Sequence, residues 1–589
     1  MKKVLIYLGL SMLVCSCMND NFMEVQPKDK QTEGTAFKTY DNFRTYSWGL
    51  YDVFFGYSSD TRQTDSIFIG DYEADNMIKG PYGNESKWVY GKVKAEPEMH
   101  DWDYSYIRNV NLMLGNIDKS SMAEIDKNHW KSVALFFRSY KYFQMLSKFG
   151  GLPWVDQVFS DNSPELYSPR DSRDVVAGNL LADLKWAEQH IKAMGDGKNT
   201  INVHVIRALI SRFCLFEGTW RKYHHLDGAE IYLKECERVG PLLMDAYPTI
   251  MSRYDEVFNS EDLSDQPGII LFKTYAANQL CHGLTRMVRT AESNIEATKD
   301  AVDSYLCNDG RPFTGNDKDV HEQFRNRDYR LYLTICPPYL VNVTNKTQWS
   351  HTGNAEDREF IDLMAQISGE TFHRLPTTNF KGFVCSRQPH FKNNNKGQAW
   401  NATQMGFWVW KYYNTHTNTI NANGVCTTDA PLFRIEEVML DYAEALFELG
   451  KFTQAVADKT INVLRKRAHV ADMNVAQIDE TFDIHRDTDV DPVLWEIRRE
   501  RRVEFMGEGR RLDDLRRWAK GEYANKQPVG VYVKDATGNK VKVKGGNGNE
   551  GYVFYFGQPT GWQSHYYLYP LPLKQIALND KLKQNPGWN

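Results

Sequence analysis

The residues best suited to hold a ligand are aromatic side chains in polar stretches of the chain. Tyr82 and Trp88 lie in a stretch rich in Gly, Asn and Lys that follows Asp75. A flat aromatic ring can pack against the C–H face of a sugar ring, and a carboxylate accepts hydrogen bonds from hydroxyl groups. We therefore expect these three residues to contribute to a binding site. We favour Trp88, and expect Trp88→Ala to weaken ligand binding without unfolding the protein.

A second group of candidates lies in the irregular middle of the chain. Trp349 and Trp400 are in polar sequence, and Arg387 lies between them. The planar guanidinium of Arg387 can donate two hydrogen bonds to neighbouring hydroxyl groups. Aromatic residues make up 13% of the chain. That content fits either rings that contact a ligand or a large core filled with rings, and the sequence leaves both interpretations open.

Two motifs resemble cofactor or metal sites but lack the context that such sites need. Residues 546–551 match GxGxxG, yet they lie between two strand-like segments and open no helix, so they predict a turn. Residues 487–491 carry the alternating acids of a calcium loop, but Pro492 and Arg498 occupy the positions that require Gly and Glu. We interpret this segment as an acidic loop, with Asp491 as the N-cap of the helix that follows.

The sequence contains no HExxH, GxSxG or P-loop pattern. Its cysteines after Cys17 are scattered and form no CxxC pair, which favours neither a zinc site nor a disulfide framework. We therefore expect no catalytic residue, no metal and no cofactor. A secreted glycosidase remains an alternative, because a pair of carboxylates that cleaves a glycoside acts through space and leaves no motif.

The charge of the chain argues against a nucleic-acid partner. Its 71 Lys and Arg residues are balanced by 76 Asp and Glu residues, which gives a formal net charge of −5. Residues 495–518 are rich in Arg, but acidic residues alternate with the arginines at helical spacing. This pattern predicts a helix whose charges pair three or four residues apart. It does not predict a basic binding face.

The N-terminus has the pattern of a lipoprotein signal. Two lysines precede an apolar run of eleven residues (4–14), which is too short to cross a bilayer because that requires about 20 residues. Ser16 precedes Cys17, as in a lipobox. We expect residues 1–16 to be removed and the thiol of Cys17 to carry a lipid. An ordinary signal peptide with incidental cysteines is the alternative.

Helical periodicity dominates the first half of the chain and returns after an irregular middle. Predicted helices cover residues 130–149, 174–193, 203–220, 229–243 and 435–468. Residues 255–430 show weak periodicity and many Gly, Pro and Asn residues, and such long irregular segments are usually functional. Strands are predicted after residue 525. We expect a helical region over 17–254 and a second region over 255–589, packed together as one body.

The last helical segment has the residue spacing of a tetratricopeptide helix pair. The residues are Tyr442, Ala443, Leu446, Gly450, Phe452 and Ala455. Small residues at this spacing allow two antiparallel helices to pack closely. We expect the earlier helical segments to supply further pairs.

Several segments together resemble proteins of the SusD/RagB family. The segments are 102–118, 134–153, 434–446, 498–518 and 569–588. They run in the family's order over nearly the whole chain. The resemblance implies a mainly α fold, in which tetratricopeptide-like helix pairs form a scaffold. It also implies an irregular, loop-rich portion with short strands that carries the ligand face.

The same resemblance implies a function and a partner. Proteins of this family bind oligo- or polysaccharide without catalysis and deliver it to a SusC-like TonB-dependent transporter. A lipid on Cys17 would anchor the chain to the outer membrane, and acidic residues after the lipidated cysteine favour export to the outer face. Asp20 is such a residue here. Peptide uptake by the same fold is an alternative, because the loops carry no residue diagnostic of either ligand.

Overall fold

The computed structural model describes residues 37–59, 66–289, 295–345, 348–369, 384–391, 403–416 and 425–588. Cys17 and Trp400, two residues singled out from the sequence, lie outside these ranges. Across the described ranges, no helix has the length and apolar character needed to span a membrane.

Helices form most of the regular structure, and short strands join parts of the chain into small sheets. The helices are α1 (Tyr40–Trp48), α2 (Ile69–Tyr72), α3 (Ser105–Ile117), α4 (Glu124–Phe149), α5 (Arg173–His190), α6 (Val203–Tyr223), α7 (Ala229–Ala246), α8 (Glu256–Asn259), α9 (Leu284–Arg289), α10 (Lys299–Asp303), α11 (Val320–Phe324), α12 (Tyr329–Thr334), α13 (Ala355–Ile367), α14 (Ile435–Glu448), α15 (Gln454–Lys459), α16 (Ile461–Arg467), α17 (Pro492–Glu504), α18 (Arg511–Arg517), α19 (Ala536–Asn539) and α20 (Leu573–Leu578). The strands are β1 (Met77–Lys79), β2 (Ile269–Lys273), β3 (Ile295–Ala297), β4 (Tyr339–Val343), β5 (Trp349–His351), β6 (Arg387–Gln388), β7 (Ala430–Arg434), β8 (Tyr532–Val533), β9 (Lys542–Lys544) and β10 (Gly551–Phe554). This composition confirms the expected mainly α fold.

Local signals in the sequence set several helix ends. The Ser172 side chain accepts a hydrogen bond from the backbone N–H of Val175 at the start of α5. Asp491 caps α17 in the same way, which confirms the interpretation of the acidic loop that precedes this helix. α4 ends at Gly150, whose φ of 75° is a left-handed value that residues with a Cβ rarely adopt.

Packed helix pairs form the scaffold, and glycines allow their close approach. α6 packs on α7 at Gly218, where a Cβ would lie 2.8 Å from the side chain of Leu233. α7 packs on α14 at Gly240, where a Cβ would lie 2.6 Å from the ring of Tyr442. A larger residue at either position would push the helices apart. These pairs agree with the expected tetratricopeptide-like arrangement.

Two large hydrophobic cores lie under the helices and the irregular middle. The first is built around the long helices and includes Phe136, Leu209 and Phe433. The second fills the irregular half and includes Phe68 and Trp410. Each core therefore combines residues from before and after residue 254.

The charges of α17 pair mainly with other elements. Glu504 lies within 2.9 Å of Arg330, 2.5 Å of Arg434 and 2.7 Å of Arg467. Pairs within α17 also occur, as the sequence predicted. The single helix predicted over 495–518 is instead two helices, α17 and α18, and Gly507 and Gly509 between them adopt left-handed φ values of 81° and 73°. The prediction missed the convergence of three arginines on one buried carboxylate. α17 lies between several elements, so Glu504 is buried. A buried carboxylate without a partner would be costly, and the three arginines offset that cost.

The C-terminal strands β8, β10 and β9 form a three-stranded antiparallel sheet in that order. This sheet agrees with the strands predicted after residue 525. The GxGxxG segment, residues 546–551, connects β9 to β10, and Gly548 adopts a φ of 94° there. The prediction of a turn at this segment is confirmed.

Candidate ligand-binding cleft

A cleft with a volume of about 200 Å³ opens where stretches distant in sequence meet. The stretches are 72–79, 86–90, 298–303, 523–529 and 556–559. Pockets for small ligands usually have volumes of about 300–1,000 Å³. A polymer could therefore place only a small part of itself in this cleft and would continue over the adjacent surface.

Backbone pairing holds three of these stretches together. β1 pairs antiparallel with β3, directly before α10. The Thr298 hydroxyl donates to the backbone oxygen of Asp75 at 2.8 Å and accepts from the N–H of Ala301, which caps α10. The N–H of Lys299 donates to the backbone oxygen of Val529 at 2.7 Å. The walls of the cleft are thus fixed by regular structure although they come from separate parts of the chain.

Two arginines hold the Asp75 carboxylate at the cleft. Nε and Nη2 of Arg511 donate to it at 2.7 and 2.8 Å, and Nη2 of Arg502 lies 3.2 Å from Oδ2. Burial alone would raise the pKa of Asp75, but the two guanidinium groups outweigh burial and hold the pKa below its ordinary value. Asp75 is therefore ionised at neutral pH and can only accept hydrogen bonds.

The Asp300 carboxylate pairs with both Arg502 and Lys526. Nη2 of Arg502 donates to Asp300 at 2.8 Å, and Nζ of Lys526 donates at 3.1 Å. Burial acts to raise the pKa of Asp300, and the two cations lower it further than burial raises it. The Lys526 side chain is 73% exposed, so its ammonium group remains accessible to a ligand.

A third ion-paired group lies at the side of the cleft. Nζ of Lys299 lies 2.5 Å from Asp303 and 2.9 Å from Asp317. The Tyr552 hydroxyl donates to Asp317 at 2.8 Å. Burial would lower the pKa of Lys299, but the two carboxylates raise it above its ordinary value. Lys299 is therefore a permanent cation.

Aromatic rings line the cleft and continue beyond it. The rings in its lining belong to Tyr72, Tyr90, Tyr523 and Phe556. The ring of Tyr82 lies 5.8 Å from that of Phe556 and stacks on Tyr555 at 4.3 Å, with 22° between the planes. Tyr82 is 55% exposed. We call Tyr82 and Tyr555 the aromatic rim of the cleft.

Two of the residues singled out from the sequence come together at this site. Asp75 lines the cleft, and Tyr82 belongs to its aromatic rim. Their contact with a ligand remains a prediction.

Trp88 has a different environment from the one expected of a ligand-binding ring. It is 4% exposed and packs among aromatic residues from the C-terminal part of the chain. The rings around it belong to Trp562, Tyr566, Tyr569 and Trp588. Its ring faces are covered by these partners, so the structure offers no face for a sugar. We correct the expectation for Trp88→Ala accordingly: this residue holds the fold together.

The candidates in the irregular middle do not converge. Trp349 pairs with Val343 on β5 and β4, and Arg387 pairs with Leu340 on β6 and β4. Residues 340 and 343 of β4 point to opposite faces of the sheet, because side chains alternate along a strand. Trp349 packs against the second core, whereas Arg387 is exposed. Neither lines the cleft, and Trp400 lies outside the described residues.

Sequence reasoning missed most of the charged residues in the cleft. Lys299 and Asp300 open α10 behind the N-cap Thr298, so a capping signal predicts the helix start but not its position beside Asp75. The pairing of Lys526 with Asp300 joins residues 226 positions apart. No local pattern reports such a contact. Among the described residues, no group of three or more His, Cys, Asp or Glu side chains is arranged to hold a metal ion.

Family models match both halves of the chain. The model described as SusD family matches residues 283–588, just over half of the sequence. A second model, described as starch-binding associating with outer membrane, matches residues 21–215.

Individual relatives agree with these matches. The chain is 20% identical over 520 residues to SusD-like protein P38 of Formosa agariphila. This match covers 87% of this chain and 89% of that protein. It is 30% identical over 179 residues to the starch-binding protein SusD of Bacteroides thetaiotaomicron, although this match covers only 30% of the chain and 25% of that protein.

The fold has close counterparts among solved structures. A SusD-like carbohydrate binding protein from Bacteroides fragilis superimposes with a TM-score of 0.66 at 21% identity, over 93% of this chain and 100% of that protein. The match confirms the mainly α fold with its helix-pair scaffold. With the family model that covers just over half of the sequence, the resemblance inferred from the sequence is confirmed: the chain belongs to the SusD family.

Proposed function

We propose that this protein binds oligo- or polysaccharide in the cleft and at its aromatic rim, and does so without catalysis. The observation that carries the proposal is the combination of aromatic rings, among them the exposed ring of Tyr82, with ion-paired polar groups around one opening. Aromatic rings can pack on sugar C–H faces, and the polar groups can hydrogen-bond to sugar hydroxyls. Relatives named as starch-binding and carbohydrate binding support the same ligand class.

The chemistry of the carboxylates supports binding without hydrolysis. A glycosidase needs one carboxylic acid with a raised pKa to protonate the leaving oxygen. In the cleft, the pKa values of Asp75 and Asp300 are lowered by their arginine and lysine partners. Both are therefore poor proton donors at neutral pH.

We also propose that the protein is anchored to the outer membrane by a lipid on Cys17 and delivers its ligand to a SusC-like TonB-dependent transporter. Membership of the SusD family supports this partner, and the family description that names the outer membrane supports the location. Tethering would keep the ligand concentrated at the transporter, so a modest affinity for each sugar unit would be sufficient.

The ligand can be tested by native gel electrophoresis of a lipid-free protein that begins just after Cys17, in gels that contain different polysaccharides. We expect one class of polysaccharide to slow the migration of the protein. We also expect the polysaccharide chains to keep their length. Shortening of the polymer would contradict the absence of catalysis. Failure of every polysaccharide, together with binding of peptides, would contradict the glycan ligand.

A matched pair of variants ties this binding to the cleft. Lys526→Ala removes an exposed ammonium group at the cleft that is paired with Asp300. Lys198→Ala removes a similarly exposed ammonium group, paired with Asp265, that does not line the cleft. We expect Lys526→Ala to reduce affinity about three- to tenfold, the loss of a hydrogen bond or two. We expect Lys198→Ala to leave affinity unchanged. Equal effects of the two would place the ligand elsewhere.

The proposed partner can be tested by purification of the SusC-like transporter from the same membrane. We expect the lipidated protein to co-purify with it. A protein that remains in the outer membrane but never co-purifies with a transporter would contradict delivery.

A further inference from the structure

Most of the charged groups at the cleft belong to one set of ion pairs. The cations are Lys299, Lys526, Arg502 and Arg511, and the carboxylates are Asp75, Asp300, Asp303 and Asp317. Each of these cations lies within 3.2 Å of at least one of the carboxylates. Lys79 also lines the cleft and lies 5.5 Å above the ring of Tyr72. The formal charges of the ion-paired set cancel.

These pairs leave hydrogen-bonding capacity of both kinds. An ammonium group has three donors and a carboxylate has about four acceptor positions. Lys299 directs its ammonium at two carboxylates, and Lys526 directs its ammonium at one. The Asp300 carboxylate accepts one bond on each of its oxygens. Donors and acceptors therefore remain side by side at the opening.

A hydroxyl group suits this arrangement because it donates and accepts at once. It can donate to a carboxylate and accept from the neighbouring ammonium group without disturbing the pair. A carboxylate or sulfate on a sugar can only accept. It would compete with the resident carboxylates for the cations and would be repelled by them.

We propose that the cleft selects uncharged sugar units and disfavours units that carry a carboxylate or a sulfate. This inference rests on the proposed glycan-binding function and names the class of ligand for the same site. The lowered pKa values of Asp75 and Asp300 support it, because both carboxylates keep their negative charge over the physiological pH range.

The test compares binding of neutral, uronate-rich and sulfated polysaccharides to the lipid-free protein at low and high ionic strength. We expect a neutral polysaccharide to bind with an affinity that changes less than about twofold with salt, since no net charge is neutralised. Tighter binding of an acidic polysaccharide, with a steep loss in salt, would overturn the inference and leave the proposed function intact. Absence of binding to any polysaccharide would overturn both.

Variants test whether the ion pairs cause the selectivity. Asp300→Asn keeps the shape of the side chain but releases Lys526 and one bond to Arg502. We expect it to increase the affinity for an acidic polysaccharide about threefold at low salt, the size typical of one exposed charge pair. Asp317→Asn, which removes one of the two carboxylates that hold Lys299, should act in the same direction and serves if Asp300→Asn does not fold.

Asp265→Asn is the control, because its exposed pair with Lys198 does not line the cleft. It should not change the affinity for any polysaccharide. If the two cleft variants also leave the affinity for acidic polysaccharide unchanged, the paired carboxylates do not select the ligand and the inference is overturned.

Discussion

Tyr82 and Trp88 lie close together in the sequence but have opposite environments. Trp88 belongs to a buried aromatic cluster, whereas Tyr82 belongs to the aromatic rim of the cleft. Trp88 is 4% exposed and surrounded by rings, whereas Tyr82 is 55% exposed and has one ring stacked on it. Both are aromatic residues in polar sequence, so their types and neighbours along the chain do not distinguish them. The last part of the chain supplies partners to both, but it surrounds Trp88 with four rings and leaves more than half of Tyr82 exposed.

This contrast separates residues that hold the site from residues that can contact a ligand. The Trp88 cluster fastens residues 74–93 to α18 and to residues 562–588. Asp75 lies at the boundary, since it is held by buried arginines and also lines the cleft. The rim carries rings that reach solvent. We therefore expect substitutions in the Trp88 cluster to lower mainly the stability of the fold. Substitutions at Asp75 should lower both stability and ligand affinity, and substitutions at the rim should lower mainly ligand affinity.

The largest effect is expected at the buried end of the comparison. Trp88→Ala should lower the free energy of unfolding by about 3–5 kcal/mol, because it removes a large ring from a packed cluster. Chemical denaturation measures the loss. Trp48→Ala is the matched control, since Trp48 is 60% exposed and should change stability by less than about 0.5 kcal/mol. A stable Trp88→Ala protein that has lost ligand binding would break the comparison.

An intermediate effect on both properties is expected at Asp75. Asp75→Asn leaves Arg511, whose side chain is only 6% exposed, without a full negative charge beside it. The free energy of unfolding should fall by about 2 kcal/mol, and the ligand affinity should fall with it. Denaturation and binding are measured on the same sample. A loss of affinity with no loss of stability would show that Asp75 belongs with the rim.

A smaller effect, confined to binding, is expected at the rim. Tyr82→Ala should reduce the affinity for the polysaccharide about three- to tenfold, the contribution of one aromatic contact. Stability should change by less than about 0.5 kcal/mol. Tyr167→Ala is the control, because Tyr167 is similarly exposed at 54% but belongs to neither the cleft lining nor the aromatic rim. If Tyr167→Ala lowers the affinity for the polysaccharide as much as Tyr82→Ala does, exposure alone explains the result and the rim has no special role.

The smallest effect is expected from pH. Asp75 and Asp300 have folded pKa values below the ordinary value of 3.8. Their contribution to stability is therefore complete above that value and is lost only as the pH falls through the folded pKa values. We expect affinity to be constant between about pH 8 and pH 5 in a titration of binding against pH. A decrease over this range would show that another titrating group takes part.

The scaffold could be predicted from the sequence because its signals are local. The apolar residues of 130–149 recur at helical spacing, and α4 covers Glu124–Phe149. The acids and proline around Asp491 identify the start of α17 through capping chemistry alone. Such features depend on residues a few positions apart, and the sequence displays them directly.

The cleft could be predicted only in part because its partners are remote. Asp75 and Tyr82 can be selected from their types and surroundings and lie at the cleft and its rim, while their contact with a ligand remains a prediction. The burial of Trp88 depends on residues near 562 and 588. The pairing of Lys526 with Asp300 depends on the backbone hydrogen bond from Lys299 to Val529, which joins the two stretches. Trp349 and Arg387 looked like partners in sequence, but strand alternation separates them.

The most direct test of the account is a crystal structure of the protein with an oligosaccharide from the polysaccharide that it binds most tightly. The account predicts a sugar unit in the cleft, with hydroxyl groups hydrogen-bonded to Asp300 and Lys526 and a ring packed on Tyr82 or Tyr555. A ligand bound instead on the sheet that carries Trp349 and Arg387, with the cleft empty, would contradict it.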